Sequence, residues 1–184
     1  VARGSTVIFL DRSLLMASGG REPRACSEKA AACFVGSKTL GSPNGHALYR
    51  SERWVKPHPL FAGLPAGGMM DYSFYGTLIS HLVYSERVTA NPSPHGPRLA
   101  EAICGSILIN RWGGYKSGLH IGLHELGAGR FILNTLDIAP NLGTHPAAER
   151  LLRNMLKYAA RDAEKPLADL PADLEKQLKA MGYE

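Results

Sequence analysis

The chain has 184 residues, 45% of them hydrophobic and 20% charged, enough for one folded domain with a real core. No run of roughly 18 apolar residues occurs, so no membrane span is expected. The net charge of +5 comes from Lys and Arg scattered among acidic residues, and without a basic stripe nucleic acid is not an expected partner.

The opening "VARGSTVIFL" carries an Arg-Gly-Ser turn and then a β-branched run over 6–10 that reads as a buried strand. A strand this near Val1 is the mark of a domain entered partway through, so early strands are expected upstream. Residues 11–45 are rich in Ala, Gly and Ser and give a loose helical stretch near 27–35 followed by a loop. "WVKPHPLFAGLPAGG" holds Pro57, Pro59 and Pro65 and must be largely irregular. In "MMDYSFYGTLISHLVY", Asp71 is placed to cap a helix on which Phe74, Leu78 and Leu82 recur at helical spacing.

After the loop "NPSPHGPR", the apolar run "LAEAICGSILIN" reads as a strand that ends at the turn "RWGGY". Two further strands, near 118–126 and 130–137, are joined through Gly127, Ala128 and Gly129, which is an antiparallel hairpin signal. "THPAAERLLRNMLKYAARD" predicts a helix capped by Thr144, with Pro146 in its first turn. Ala148, Leu151, Leu152, Met155, Leu156 and Ala159 give it one apolar stripe. A short helix in "LPADLEKQLKAMGY", with Leu174 and Leu178 inward, ends at Gly182. Alternating strands and helices with one hairpin predict an α/β architecture with a mixed sheet. The division is an α/β domain over 1–163 and a linker with a short helix over 164–184.

Three groups of residues invite a chemical reading. His120, His124 and Glu125 lie close in sequence, but on a strand the two histidines stand about 13 Å apart, and Glu125 faces the other way. Direct ligands of one metal need bonds of about 2 Å each, and His-Glu-x-x-His is broken by Ala128, so no metal is expected. The histidines are assigned to the more polar face of a strand whose Leu119, Ile121 and Leu123 face the core.

Cys104 has small residues two before and two after it, Ala102 and Ser106, as a nucleophile elbow needs. However, Ile107, Leu108 and Ile109 continue the strand where a helix should begin, so a buried, inert thiol is expected. Cys26 and Cys33 make the cysteine count odd, without a Cys-x-x-Cys pair, and the sequence leaves their pairing open. Asp71, Glu101, Glu125 and Asp137 offer no spacing that singles out a catalytic pair. Trp54, Tyr72, Tyr75, Trp112 and Tyr115 lie in or beside loops, where rings stack on sugars or staple interfaces. With Asp71 they are the predicted contact residues.

Taken together, "HPLFAGLPAGGMMDYSFY", "YKSGLHIGLHELGAGRFILNTLDIAPNLGTHPAAERLLRNMLKYAA" and "LPADLEKQLKAMGY" resemble the C-terminal region of large bacterial glycoside hydrolases, family 2-like and β-galactosidase-type. That region is a class I glutamine amidotransferase-like, flavodoxin-like domain, similar to the β-galactosidase trimerisation domain and to ThuA-like proteins. The resemblance implies an accessory module without catalytic residues or cofactor. Its partners would be upstream glycosidase domains of the same polypeptide, a second copy, or carbohydrate. The amidotransferase His-x-Glu pattern is absent, since His120, His124 and His145 are followed at that offset by Gly122, Leu126 and Ala147. Two alternatives remain: a ThuA-like or amidotransferase-like hydrolase using Cys104 or the histidines, and a sugar-binding module using the loop aromatics. The sequence assigns no compartment.

Overall fold

Alternation of side chains between two apolar surroundings builds the sheet. Val7 and Phe9 pack with one apolar cluster and Ile8 with another, and on the neighbouring strand Phe131 and Leu133 alternate with Ile132 in the same way. Apolar side chains on both sides at a period of two are what a strand covered on both faces requires. The structure, a computed structural model, describes residues 1–10, 40–41, 52–80, 83–84, 98–109, 115–163, 166–170 and 172–176.

The strands are β1 (Thr6–Phe9), β2 (Leu40–Gly41), β3 (Glu52–Val55), β4 (Gly68–Met69), β5 (Val83–Tyr84), β6 (Arg98–Ile109), β7 (Tyr115–Leu126) and β8 (Gly129–Asn134). They form an open, mixed sheet in the order β1-β8-β7-β6-β3-β4, with β5 beside β7 and β2 beside β5. Among the described residues β1 and β8 make the one parallel pair; the other pairs are antiparallel. The helices are α1 (Tyr72–Tyr75) and α2 (Pro146–Ala163), with short 3₁₀ turns at Pro59–Phe61, Gly76–Leu78 and Ala139–Asn141. The α/β class with a mixed sheet therefore holds. No helix among the described residues is long and apolar enough to cross a membrane.

The hairpin joins β7 to β8 as the glycines predict. Leu126 pairs with Gly129 across a two-residue turn whose first central residue, Gly127, has φ +60. A primed hairpin turn needs a positive φ there, which glycine supplies without strain. β6 and β7 run twelve residues each, but their register jumps three times. One jump separates Gly105↔Leu119 from Cys104↔Ile121 and leaves His120 as an extra residue on β7, a bulge that breaks the strict alternation.

Three local expectations are corrected. The helix after Asp71 is only one turn: Asp71 caps it by accepting from the Ser73 N–H at 2.8 Å, but Gly76 takes φ +43 and ends it, so no long stripe through Leu78 forms. The cap of α2 is His145 rather than Thr144. The Ala147 N–H donates to His145 Nδ1 at 3.2 Å, while the Thr144 hydroxyl donates to the Asn141 carbonyl and Glu149 reaches back to the Gly143 N–H. The buried stripe of α2 is also rotated. Ala147, Ala148, Leu151, Asn154, Met155 and Asp162 are buried, and Leu156 is 55% exposed. The cause is the 58–64 turn packed along α2, where the buried Asn154 amide donates to the Leu60 and Ala62 carbonyls, both at 3.0 Å. The helical stretch near 27–35, Cys26, Cys33, Leu82, Leu178 and Gly182 lie outside the described residues.

The larger core cluster joins α2 to the sheet through Leu60, Phe61, Tyr75, Ile103, Ile121, Leu123, Ile132, Leu151 and Met155. Removing buried side-chain volume there should cost far more than trimming the exposed leucine. Leu151→Ala and Met155→Ala should each destabilise by roughly 2–5 kcal/mol in urea melts, and Leu156→Ala by less than about 0.5 kcal/mol. Equal losses at all three would contradict this orientation of α2.

Candidate functional site

β7 carries the histidines, and both are fully buried. The expectation of a more polar face is wrong because that face is covered too: His124 sits directly opposite Phe131, within the cluster of Tyr84, Leu119 and Leu133. The two rings have different partners. His120 Nε2 lies 2.9 Å from Ser106 Oγ, and its Nδ1 lies 3.1 Å from Thr135 Oγ1. His124 Nε2 lies 3.4 Å from the Tyr84 hydroxyl, and its Nδ1 has no hydrogen-bond partner among the described residues.

Ser106, His120 and Thr135 have the outline of a nucleophile, a base and an orienting group, which sequence spacing did not reveal because a bulge and the β7–β8 hairpin bring them together. All three are fully buried, so no substrate reaches the Ser106 hydroxyl in this conformation. Cys104 is likewise fully buried, as expected, and burial pushes its thiol pKa well above the usual range. A thiol held in that state is a poor nucleophile. Among the described residues no three His, Cys, Asp or Glu side chains group in a way that would hold a metal ion.

A second polar group lies between the sheet and α2. The Thr6 hydroxyl donates to Asp162 Oδ2 at 2.6 Å, and Arg130 Nε lies 3.2 Å from the same oxygen. Arg130 also donates to the Tyr158 hydroxyl at 3.1 Å, and the Tyr158 ring stands 5.4 Å from that of His58. His58 Nδ1 accepts from the Leu60 N–H at 3.2 Å, so the neutral ring carries its proton on Nε2, 3.6 Å from Glu101 Oε2. Burial lowers the His58 pKa, against the opposing pull of Glu101. With one nitrogen accepting from the backbone and the other protonated, neutral His58 has no free lone pair for base catalysis.

The predicted contact residues divide. Tyr72 is 66% exposed, next to exposed Met69 and Phe74, and Asp71 is exposed while capping α1. Trp54 is half-buried, its ring laid across its cross-strand partner Gly105, with Lys56 Nζ 6.0 Å from the ring centre. Tyr75 is a correction. It is fully buried, its hydroxyl donates to the Pro65 carbonyl, and burial pushes its pKa up to about 12. Its ring staples the loop to the core and offers no surface to a partner. Tyr115 opens β7, opposite Ile109, and Trp112 lies outside the described residues.

The buried imidazole on β7 has a measurable consequence. Burial lowers the His124 pKa from 6.5 to about 4. Between those values the unfolded chain takes up a proton at His124 that the folded chain refuses, so the His124 contribution to stability falls as pH drops from 6.5 towards 4 and is constant above. The loss attributable to His124 is about 3 kcal/mol. Urea melts at about pH 7.5 and about pH 4.5 should show His124→Leu less acid-sensitive than the parent by an amount of that order. His58 titrates in both proteins and cancels; an unchanged difference would refute the assignment.

Comparison with known proteins adds no family: no family model matches the chain, and neither a curated protein nor a solved structure matches it significantly.

Proposed function

We propose that this chain is a non-catalytic accessory module, of the flavodoxin-like, class I glutamine amidotransferase-like kind, from the C-terminal part of a bacterial glycoside hydrolase. Its work would be packing, oligomerisation or carbohydrate contact. One observation carries the reading: the groups best suited to nucleophilic or acid–base chemistry are sealed or already engaged. Cys104 is buried with its thiol kept protonated, His120 is held between two hydroxyls, His124 is buried and neutral, and His58 has both ring nitrogens committed. Catalysis needs a nucleophile, a base and an orienting group around a point that substrate can occupy.

The exposed surface supports the same reading. Met69 at the end of β4 and Tyr72 and Phe74 on α1, the turn that Asp71 caps, present apolar area where a ring can meet a sugar face or another protein surface.

The full chain assayed with aryl glycosides and with glutamine, with and without divalent metals, should give no turnover. Cys104→Ala, chosen because it buries no new hydroxyl, should leave that result unchanged. Turnover that survives purification and disappears in Cys104→Ala, or in His120→Ala combined with His124→Ala, would refute the proposal.

A further inference from the structure

One flank of α2, beside its buried stripe, forms a groove of about 280 Å³ with the turn over 59–63, lined by Arg150, Asn154, Lys157, Tyr158 and Arg161 of the helix and by Gly63. The helix residues are spaced by three and four, so they make one stripe along α2. The three cations are exposed. Among the described residues none of them is paired with a carboxylate, because the acids of α2 are used elsewhere. Glu149 takes the Gly143 N–H, and Asp162 takes Thr6 and Arg130. The Arg150 guanidinium lies against Gly63, 3.5 Å from where a Cβ would stand, so the absence of a side chain there leaves the groove its width.

Tyr158 lines the groove, but its ring already meets the guanidinium groups of Arg130 and Arg161, each 5.9 Å from the ring centre. Base stacking of the kind single-stranded nucleic acids need is therefore not on offer. What the groove presents is positive charge at separated points. From Arg150 to Arg161 the helix rises about 16 Å at 1.5 Å per residue, too far for one tetrahedral anion to bridge. Arg161 stands over the ring of Tyr158 and is one helical turn from Lys157 in the same groove, which puts two cations towards one end and leaves Arg150 at the other.

The geometry points to a binding site for a small molecule carrying two separated oxyanion groups, phosphate or sulfate esters, with Arg150 holding one group and Lys157 with Arg161 the other. Guanidinium groups match the oxygens of both esters through paired N–H donors, and Lys adds a point charge. The inference goes beyond the accessory-module reading and does not depend on it.

Calorimetric titration of the full chain at low ionic strength tests it, with inorganic phosphate, fructose bisphosphate, a disulfated heparin disaccharide and a short single-stranded oligonucleotide as probes. At least one of the two-group probes should bind saturably and more tightly than inorganic phosphate by about tenfold or more, and which one binds identifies the ester. Arg150→Ala and Lys157→Ala should each weaken that probe by about tenfold. Arg153→Ala removes the same charge from the same helix outside this groove and should change it by less than about twofold. Arg150→Gln, which keeps the side-chain stem over Gly63, should reproduce the Arg150→Ala loss. The proposal is overturned by equal losses in Arg153→Ala, by inorganic phosphate binding as tightly as both two-group probes, by the oligonucleotide binding tightest, or by no saturation up to about 10 mM.

Discussion

Between Gly118 and His124 β7 has no free side, and the rest of the molecule is arranged around that constraint. It pairs with β6 along one edge and with β8 and then β5 along the other, while its two faces are covered by the two apolar clusters. Ser117 and Glu125 are exposed, but over 118–124, between them, every residue is buried. That stretch has no solvent face for polar side chains and little room for large ones where neighbours press in. Gly118 and Gly122 mark those points. A Cβ at Gly118 would run into the side chain of Val83, and one at Gly122 into the hydroxyl of Tyr84. Glycine in a strand interior has an entropic cost, accepted here because the approach of β5 admits nothing larger.

The same enclosure decides what the buried polar groups do. A buried imidazole is tolerated when its nitrogens find partners, and the Ser106 and Thr135 hydroxyls supply them for His120. The bulge at His120 gives β7 an extra residue at the point where β8 ends and β5 takes over the edge. His124 is less well provided, and its neutral form is imposed by desolvation instead. Cys104 is kept protonated by the same cause acting on a group of opposite charge type. Burial thus withholds the thiolate of Cys104 and leaves the His124 imidazole a weak base that solvent does not reach.

Much of this was legible in the sequence, and the failures have definite reasons. The β7–β8 hairpin was readable because Gly127 and Gly129 bracket a turn between two apolar runs, and turn chemistry is local. β1 and β6 were readable from their β-branched runs. The burial of His120 and His124 was not, because alternation says which residues share a face but not whether something covers it. The helix after Asp71 is shorter than its cap and the spacing of Phe74 and Leu78 suggest, because Gly76, lying between those two residues, takes a positive φ and ends it. Meetings between distant segments, such as His58 with Glu101 or Thr6 with Asp162, left no trace in residue spacing.

The rotation of α2 shows how a few polar residues turn an element that hydrophobicity alone would place differently. Leu152 and Leu156 would draw the helix one way, yet Leu156 is left exposed. Asn154 and Asp162 draw it the other way: the first satisfies two carbonyls of the 58–64 turn, and the second takes a hydroxyl from β1 and an ion pair from β8. Buried carbonyls and a buried carboxylate left unpaired cost more than an exposed leucine loses, so the polar anchors win. Turning Asp162 inward removes an acid from the outer side of the helix, and turning Asn154 inward seats the 58–64 turn along it. The uncompensated cations at 150, 157 and 161 and the wall that makes a groove of them thus share one origin, the polar anchoring of α2.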